Sequence, residues 1–122
     1  MALGTRHRPV EIRLKTADRI LEIDYDDGKQ FALPAEYLRV ESPSAEVQGH
    51  GPGGRTIVPG RRHVGILGIE PVGNYAIRIE FDDRHDTGIY TWNYLYELGS
   101  DFESRWGRYL DALAERGLSR DP

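Results

Sequence analysis

Residues 82–92 read DDRHDTGIYTW, placing His85 among Asp82, Asp83 and Asp86. An imidazole beside carboxylates can serve as a metal ligand or as an oriented proton-transfer base. His50 and His63 are the further histidines that loops can bring to His85, with Glu46 or Asp83 as an acidic donor for zinc or iron. None of these histidines has a second histidine four residues away on a helical pattern. A metal site of His85, His50 and His63 therefore depends on three loops converging. For catalysis the context is poorer, because neither a G-x-S-x-G elbow nor an H-E-x-x-H pair accompanies His85. Aspartates bond their own nearby backbone, so the stretch reads as a polar hairpin turn with no catalytic residue. On this reading the chain is not an enzyme.

Gly49-His50-Gly51-Pro52-Gly53-Gly54-Arg55-Thr56 nearly spells a phosphate loop, with arginine in the lysine position. A working phosphate loop joins a buried strand to a helix; here SPSAEVQ precedes the glycines and Pro59-Gly60 follows them. Nucleotide binding is therefore not expected. Arg55, Arg61 and Arg62 still make the stretch locally basic and are candidate partner-binding residues, set against the simpler reading of scattered solvated charge.

Composition narrows the chemistry further. The 122 residues contain no cysteine, which excludes disulfides, thiolate zinc sites, cysteine-ligated clusters and cysteine nucleophiles. Sixteen basic against twenty acidic residues leave a formal charge of −4, a poor match for a phosphate backbone, so no nucleic-acid partner is expected. No apolar run has the length of a membrane span, and MALGTRHRP lacks a secretory apolar stretch. No membrane partner and a cytoplasmic location are the expectations.

The elements that must position these residues follow from periodicity. Val10, Ile12 and Leu14 alternate with Glu11, Arg13 and Lys15, the pattern of a half-buried strand. Leu21, Ile23 and Tyr25 repeat it, and Asp26-Asp27-Gly28-Lys29 supplies a turn before Phe31 and Leu33. Pro34 to Leu38 reads as a short helical turn with proline at its start, where no donor is needed. Residues 41–63 hold five glycines and three prolines and read as a long surface loop, with Ile57 and Val58 pinning its middle. So long a loop in one domain is a candidate interaction region.

Two further strands, Val64 to Ile69 and Tyr75 to Phe81, flank Pro71-Val72-Gly73-Asn74; Tyr75, Ile77, Ile79 and Phe81 share a face. Thr87 to Tyr90 returns as a strand, and Thr91 caps a short helix through Leu98. Ser100 and Glu103 spell a capping box for a C-terminal helix bearing Phe102, Trp106, Tyr109, Leu110 and Leu113, with Gly117 at its end. Trp106 and Tyr109 belong to the core by spacing, whereas the aromatics at 90, 92, 94 and 96 cannot all face inward. The expected fold class is α+β: mainly antiparallel β-sheet with hairpins, then a short helix and a C-terminal amphipathic helix, in one domain over 1–122.

Leu38-Arg39, the SPSAEV run, EPVGNYAI and DDRHDTGIYTW occur in an order that resembles a small domain of unknown function, which also forms the N-terminal domain of gamma-butyrobetaine hydroxylase and trimethyllysine hydroxylase. The resemblance covers about Val10 to Leu113, and its most specific parts are the G-N-Y-A and H-x-x-G-I-Y segments. It implies a zinc-binding module in the hydroxylases, with a C-P-C-x-x-C run after the L-R pair and one histidine in the later acidic turn. Here Ser42, Ser44 and Val47 stand at the cysteine positions and His85 at the histidine. Serine hydroxyls replace thiolates poorly and valine has no donor atom, so no cofactor is expected beyond weakly held zinc or iron. The hydroxylase chemistry resides in a separate domain, so the resemblance implies no hydroxylase activity. Fusion of this module to P-loop carriers of iron–sulfur clusters implies an accessory role near iron handling. The function expected is that of a non-catalytic accessory module binding an unknown protein partner, with metal binding through His85 and other histidines as the alternative.

Overall fold

The alternation of apolar and polar residues builds two three-stranded antiparallel sheets, the first in the order β1-β2-β3 and the second β4-β5-β6. The structure, a computed structural model, describes residues 6–44, 47 and 56–122. Strands β1 (Pro9–Lys15), β2 (Ile20–Tyr25) and β3 (Gln30–Pro34) are followed by helix α1 (Ala35–Val40). After the loop come β4 (Ile66–Val72), β5 (Ala76–Phe81) and β6 (Ile89–Thr91), then α2 (Trp92–Ser100) and α3 (Phe102–Glu115).

Register explains which side chains reach the core. In β2 the period-two pattern buries Leu21, Ile23 and Tyr25, and pairing of Leu21 with Leu33 continues the apolar face into β3. A bulge between Pro9 and Glu11 in the β1–β2 ladder leaves Val10 67% exposed, so Val10 is not a core residue of its strand. In the second sheet Ile66, Ile77, Ile79, Phe81 and Tyr90 turn inward to meet the first sheet's buried face, with Leu95 and Leu98 of α2. Each such side chain contributes about 1.5–3 kcal/mol on burial. Tyr75, grouped with this face by spacing, is 38% exposed just ahead of β5.

The helices follow local chemistry with one exception. Thr91 Oγ1 accepts from Tyr94 N at 3.0 Å and caps α2. At the end of α3, Gly117 adopts φ +65°, Leu118 N donates to Leu113 O and Gly117 N to Ala114 O, the paired bonds of a Schellman stop. The Ser100–Glu103 capping box does not form. Helix α2 continues through Ser100, and Asp101 alone joins it to α3, without a side-chain cap. Leu110, placed on the apolar face by spacing, is 39% exposed.

A second, smaller core lies against α3, where Val40, Val47 and Val58 pack with Tyr109 and Leu113. Ile57 lies beside it, and Tyr109 donates its hydroxyl to Val58 O at 2.6 Å. Burial pushes this phenol up to about 12. The described part of the 41–63 loop is thus pinned at residues 47 and 56–58, Thr56 N donating to Val47 O at 2.7 Å.

Candidate functional site

The turn bearing His85 is built by its neighbours. Strand β5 ends where Phe81 N donates to His85 O at 2.9 Å, and Arg84 takes a left-handed φ of +72° to close the connection. Asp83 Oδ1 accepts from His85 N at 3.2 Å, the aspartate turn chemistry expected of this stretch. The turn directs the imidazole inward, and His85 is 5% exposed.

His85 meets the segment that leaves α1. Ser42 Oγ lies 2.9 Å and Ser44 Oγ 3.3 Å from His85 Nε2, and the two hydroxyls are 3.3 Å apart. Ser44 N donates to Ser42 Oγ at 3.3 Å, closing a small polar clasp. Ser42 is fully buried, Ser44 is 8% exposed and Val47 2%. Gly88 makes this approach possible, since a Cβ there would sit 2.6 Å from Ser42 Oγ and 3.0 Å from Tyr90 Cε1.

Charge gathers beside the clasp. Arg39 Nε and Arg61 Nε both donate to Asp83 Oδ2, at 2.8 and 2.7 Å. Burial opposes ionisation of Asp83, but the bonds from Arg39 and from His85 N, with Arg61 nearby, outweigh it and hold the carboxyl below the ordinary aspartate range. Arg39 is 8% exposed, and among the described residues its buried Nη1 has no hydrogen-bond partner. Tyr90 donates to Leu38 O and Tyr94 to Glu41 O, each at 2.5 Å, satisfying carbonyls that the end of the short helix leaves open. Burial pushes the Tyr90 phenol far up, and a hydrogen bond with Ser42 offsets part of that rise.

The other sequence-predicted residues are distributed as follows. His63 is exposed and lines a shallow cleft of about 180 Å³ with Asp82, Asp83 and Arg61. His50, Glu46 and Arg55 lie outside the described residues. Among the described residues no three His, Asp or Glu side chains converge as a metal-binding group. Arg62 pairs through Nε with Asp121 Oδ1 at 2.5 Å, so this arginine and Arg61 both already carry an acidic neighbour. Two larger clefts, of about 480 and 490 Å³, are lined by Glu41, Arg105 and Tyr109 and by His7, Tyr96 and Asp101 respectively, away from His85. In the first, Arg105 bonds Glu41 and Glu97, each at 3.0 Å. In the second, His7 stacks on Tyr96 with ring centroids 3.6 Å apart. Sequence reasoning missed Arg39 and Gly88; L-R and H-x-x-G were the signals, and only the contact of residues 42 and 85 gives them meaning.

A family model described as gamma-butyrobetaine hydroxylase-like, N-terminal, matches residues 12–96. The chain belongs to that family. Two proteins solved in solution by NMR are 47% and 44% identical to it, with TM-scores of 0.82 and 0.83. The matches cover 95% and 100% of this chain and 91% of each of theirs. A crystal structure of a DUF971-family protein with unknown function from Acidithiobacillus ferrooxidans is 41% identical, with a TM-score of 0.64 over 75% of this chain and 92% of that one. No curated protein matches. Among the described residues no helix is long and apolar enough to cross a membrane.

The zinc site that the hydroxylase resemblance implies is the clasp itself, for the four family positions are Ser42, Ser44, Val47 and His85. The donors do not fit zinc. They amount to one imidazole, two neutral hydroxyls and an isopropyl group, against the thiolate and imidazole sets that hold structural zinc. Around such an ion neighbouring sulfur and nitrogen donors stand about 3.5–3.8 Å apart, whereas the clasp atoms are 2.9–3.3 Å apart and bond each other.

Proposed function

We propose that the protein is a non-catalytic module that binds a protein partner through the 41–63 loop and the neighbouring acidic turn. The supporting observation is the closure of the serine–imidazole pair: Ser42 is 0% and His85 5% exposed, so no substrate atom can approach the hydroxyl that a catalytic role would need. The pair fastens the loop to the turn. Loop residues Arg61 and Arg62 stay partly exposed at the rim, each in an exchangeable pair with Asp83 or Asp121. An acidic partner surface can compete most readily for Arg62, whose exposed pair with Asp121 contributes only about 0–1 kcal/mol. The link to iron or iron–sulfur handling rests on the family resemblance.

The test is a titration of the isotope-labelled chain with purified iron–sulfur carrier or oxygenase domains, followed by amide NMR. Shifts should cluster at residues 56–63 and 82–86 and weaken in the charge-reversed pair Arg61→Glu and Arg62→Glu. An interface mapped to the opposite sheet, or one indifferent to that reversal, would refute this reading.

A further inference from the structure

We propose that Glu36, Trp106, Gly60 and Arg62 form a binding site for an extended peptide segment in which an arginine is followed directly by an acidic residue. Residues 119–121 of this chain fill that site in cis. Helix α3 has already stopped at Gly117, yet the segment after it folds back across the loop to reach α1. The site shares Arg62 with the rim described above, but its chemistry stands without that reading.

The pocket for the arginine is built from two elements. Glu36 of α1 is 6% exposed, and Arg120 closes on its carboxylate with two bonds, Nε to Oε2 at 2.8 Å and Nη2 to Oε1 at 2.7 Å. A planar guanidinium supplies that fork and an ammonium does not. The same guanidinium lies over Trp106 of α3, its carbon 5.2 Å from the ring centroid. A carboxylate buried this deeply is costly when unpaired, so the pocket selects for a guanidinium.

The loop reads the rest of the segment. Gly60 N donates to Ser119 O at 2.9 Å and Arg62 N to Arg120 O at 3.0 Å. Amides two residues apart that take successive carbonyls of another stretch are the means by which an extended peptide docks through its main chain. Arg62 Nε then donates to Asp121 Oδ1 at 2.5 Å. Three consecutive residues are thus recognised: the carbonyl of Ser119, the side chain and carbonyl of Arg120, and the carboxylate of Asp121.

The hold in cis is light. Leu118 is 40% exposed, and the side chains of Arg62 and Asp121 are 39% and 66% exposed, so that ion pair contributes little. Arg120, with 29% of its side chain exposed, is the one anchor of the segment that reaches a buried group. A short tether supplies an effective concentration on the order of millimolar, which a partner segment of the same chemistry can exceed once further contacts add to its affinity.

The probe is the peptide of residues 117–122, capped at both ends and titrated into the isotope-labelled full chain, wild type and Arg120→Ala. The Trp106 indole and the amides of Gly60 and Arg62 report binding. In Arg120→Ala all three should shift, with a midpoint at least about tenfold below that of wild type, whose own segment competes. A peptide with lysine in place of the arginine should bind at least about tenfold more weakly, and Glu36→Gln added to Arg120→Ala should weaken the original peptide by a similar factor. Arg120→Lys, which keeps a cation opposite Glu36, takes the place of Arg120→Ala if the latter does not fold. Three results would overturn the proposal: no shift at these groups with peptide well above the millimolar range, equal midpoints for wild type and variant, or indifference to lysine. A wild-type dimer that Arg120→Ala makes monomeric would also overturn it, because the segment would then belong to a second copy. The assay contains no iron–sulfur carrier or oxygenase domain, so its failure and that of the partner titration are separate results.

Discussion

The clasp makes a quantitative prediction through a double-mutant cycle on Ser42 and His85. Ser42→Ala removes the group that accepts from Ser44 N and makes the shorter bond to His85 Nε2, whose 3.3 Å contact with Ser44 Oγ remains, in a site 0–8% exposed. Stranding buried polar groups costs about 1–3 kcal/mol. His85→Phe retains ring volume but removes one partner from two hydroxyls that are 3.3 Å apart and still bond each other, so its cost lies at the lower end of about 1–3 kcal/mol. With both changes the mutual bond is absent from either side, and the double variant should lose about 0.5–1.5 kcal/mol less than the two single losses added together. Urea unfolding followed by the fluorescence of the two tryptophans reads all four proteins. Additivity to within about 0.3–0.5 kcal/mol would refute the claim that hydrogen bonding holds the clasp, because groups in contact that share a bond must couple.

Gly88→Ala should destabilise by about 1–3 kcal/mol, since its Cβ meets Ser42 Oγ at 2.6 Å and Tyr90 Cε1 at 3.0 Å; thermal unfolding measures it. Tyr109→Phe, which removes the hydroxyl donated to Val58 O, should cost about 1 kcal/mol and speed amide exchange at residues 56–58 more than in β2. Asp83→Asn should lose about 2–3 kcal/mol at neutral pH, because two guanidiniums lose their charged acceptor. Asp83 titrates below its ordinary value of 3.8 in the folded protein, so its stabilisation is complete above that value and is lost as pH falls through the depressed one. The gap between wild type and Asp83→Asn in urea midpoint should therefore hold down to about pH 4 and close below it.

What was legible in the chain was what short-range patterns encode. Alternation at Leu21, Ile23 and Tyr25, the Thr91 cap and the Gly117 stop each depend on neighbours a few residues away, and the structure forms all three. The α+β assignment followed from adding such patterns, and two antiparallel sheets ahead of two helices match it. Ser100–Glu103 had the right spacing for a cap but failed because α2 runs through Ser100, which no local pattern reveals. Val10 alternated correctly yet lies outside the core, because the bulge beside it depends on pairing with Tyr25 and Asp24. The site was legible least of all. His85 meets Ser42 across 43 positions, and periodicity carries no information at that range; the family pattern named the four positions, and only the fold brought Ser42, Ser44 and His85 within bonding distance.

The arrangement around α1 also bears on why so much polar chemistry is buried there. A helix of six residues cannot satisfy its own terminal carbonyls, and this one ends inside the protein rather than in water. Tyr37 donates to Leu98 O, Tyr90 to Leu38 O and Tyr94 to Glu41 O, so three phenols tie α1 to α2 and the strand before it. The clasp then fixes the next residues, and Asp83 fixes Arg39 from the opposite turn. An apolar replacement of similar volume could match the burial, but it would not select one alignment, since dispersion contacts tolerate a slide that a hydrogen bond of 2.9 Å does not. Residues 39–44 are thus held in a single register at the junction of the two cores, where Val40 and Val47 enter the smaller one. That register sets where Arg61 returns to Asp83, so the position of this described part of the loop depends on buried polar bonds as well as on its own sequence.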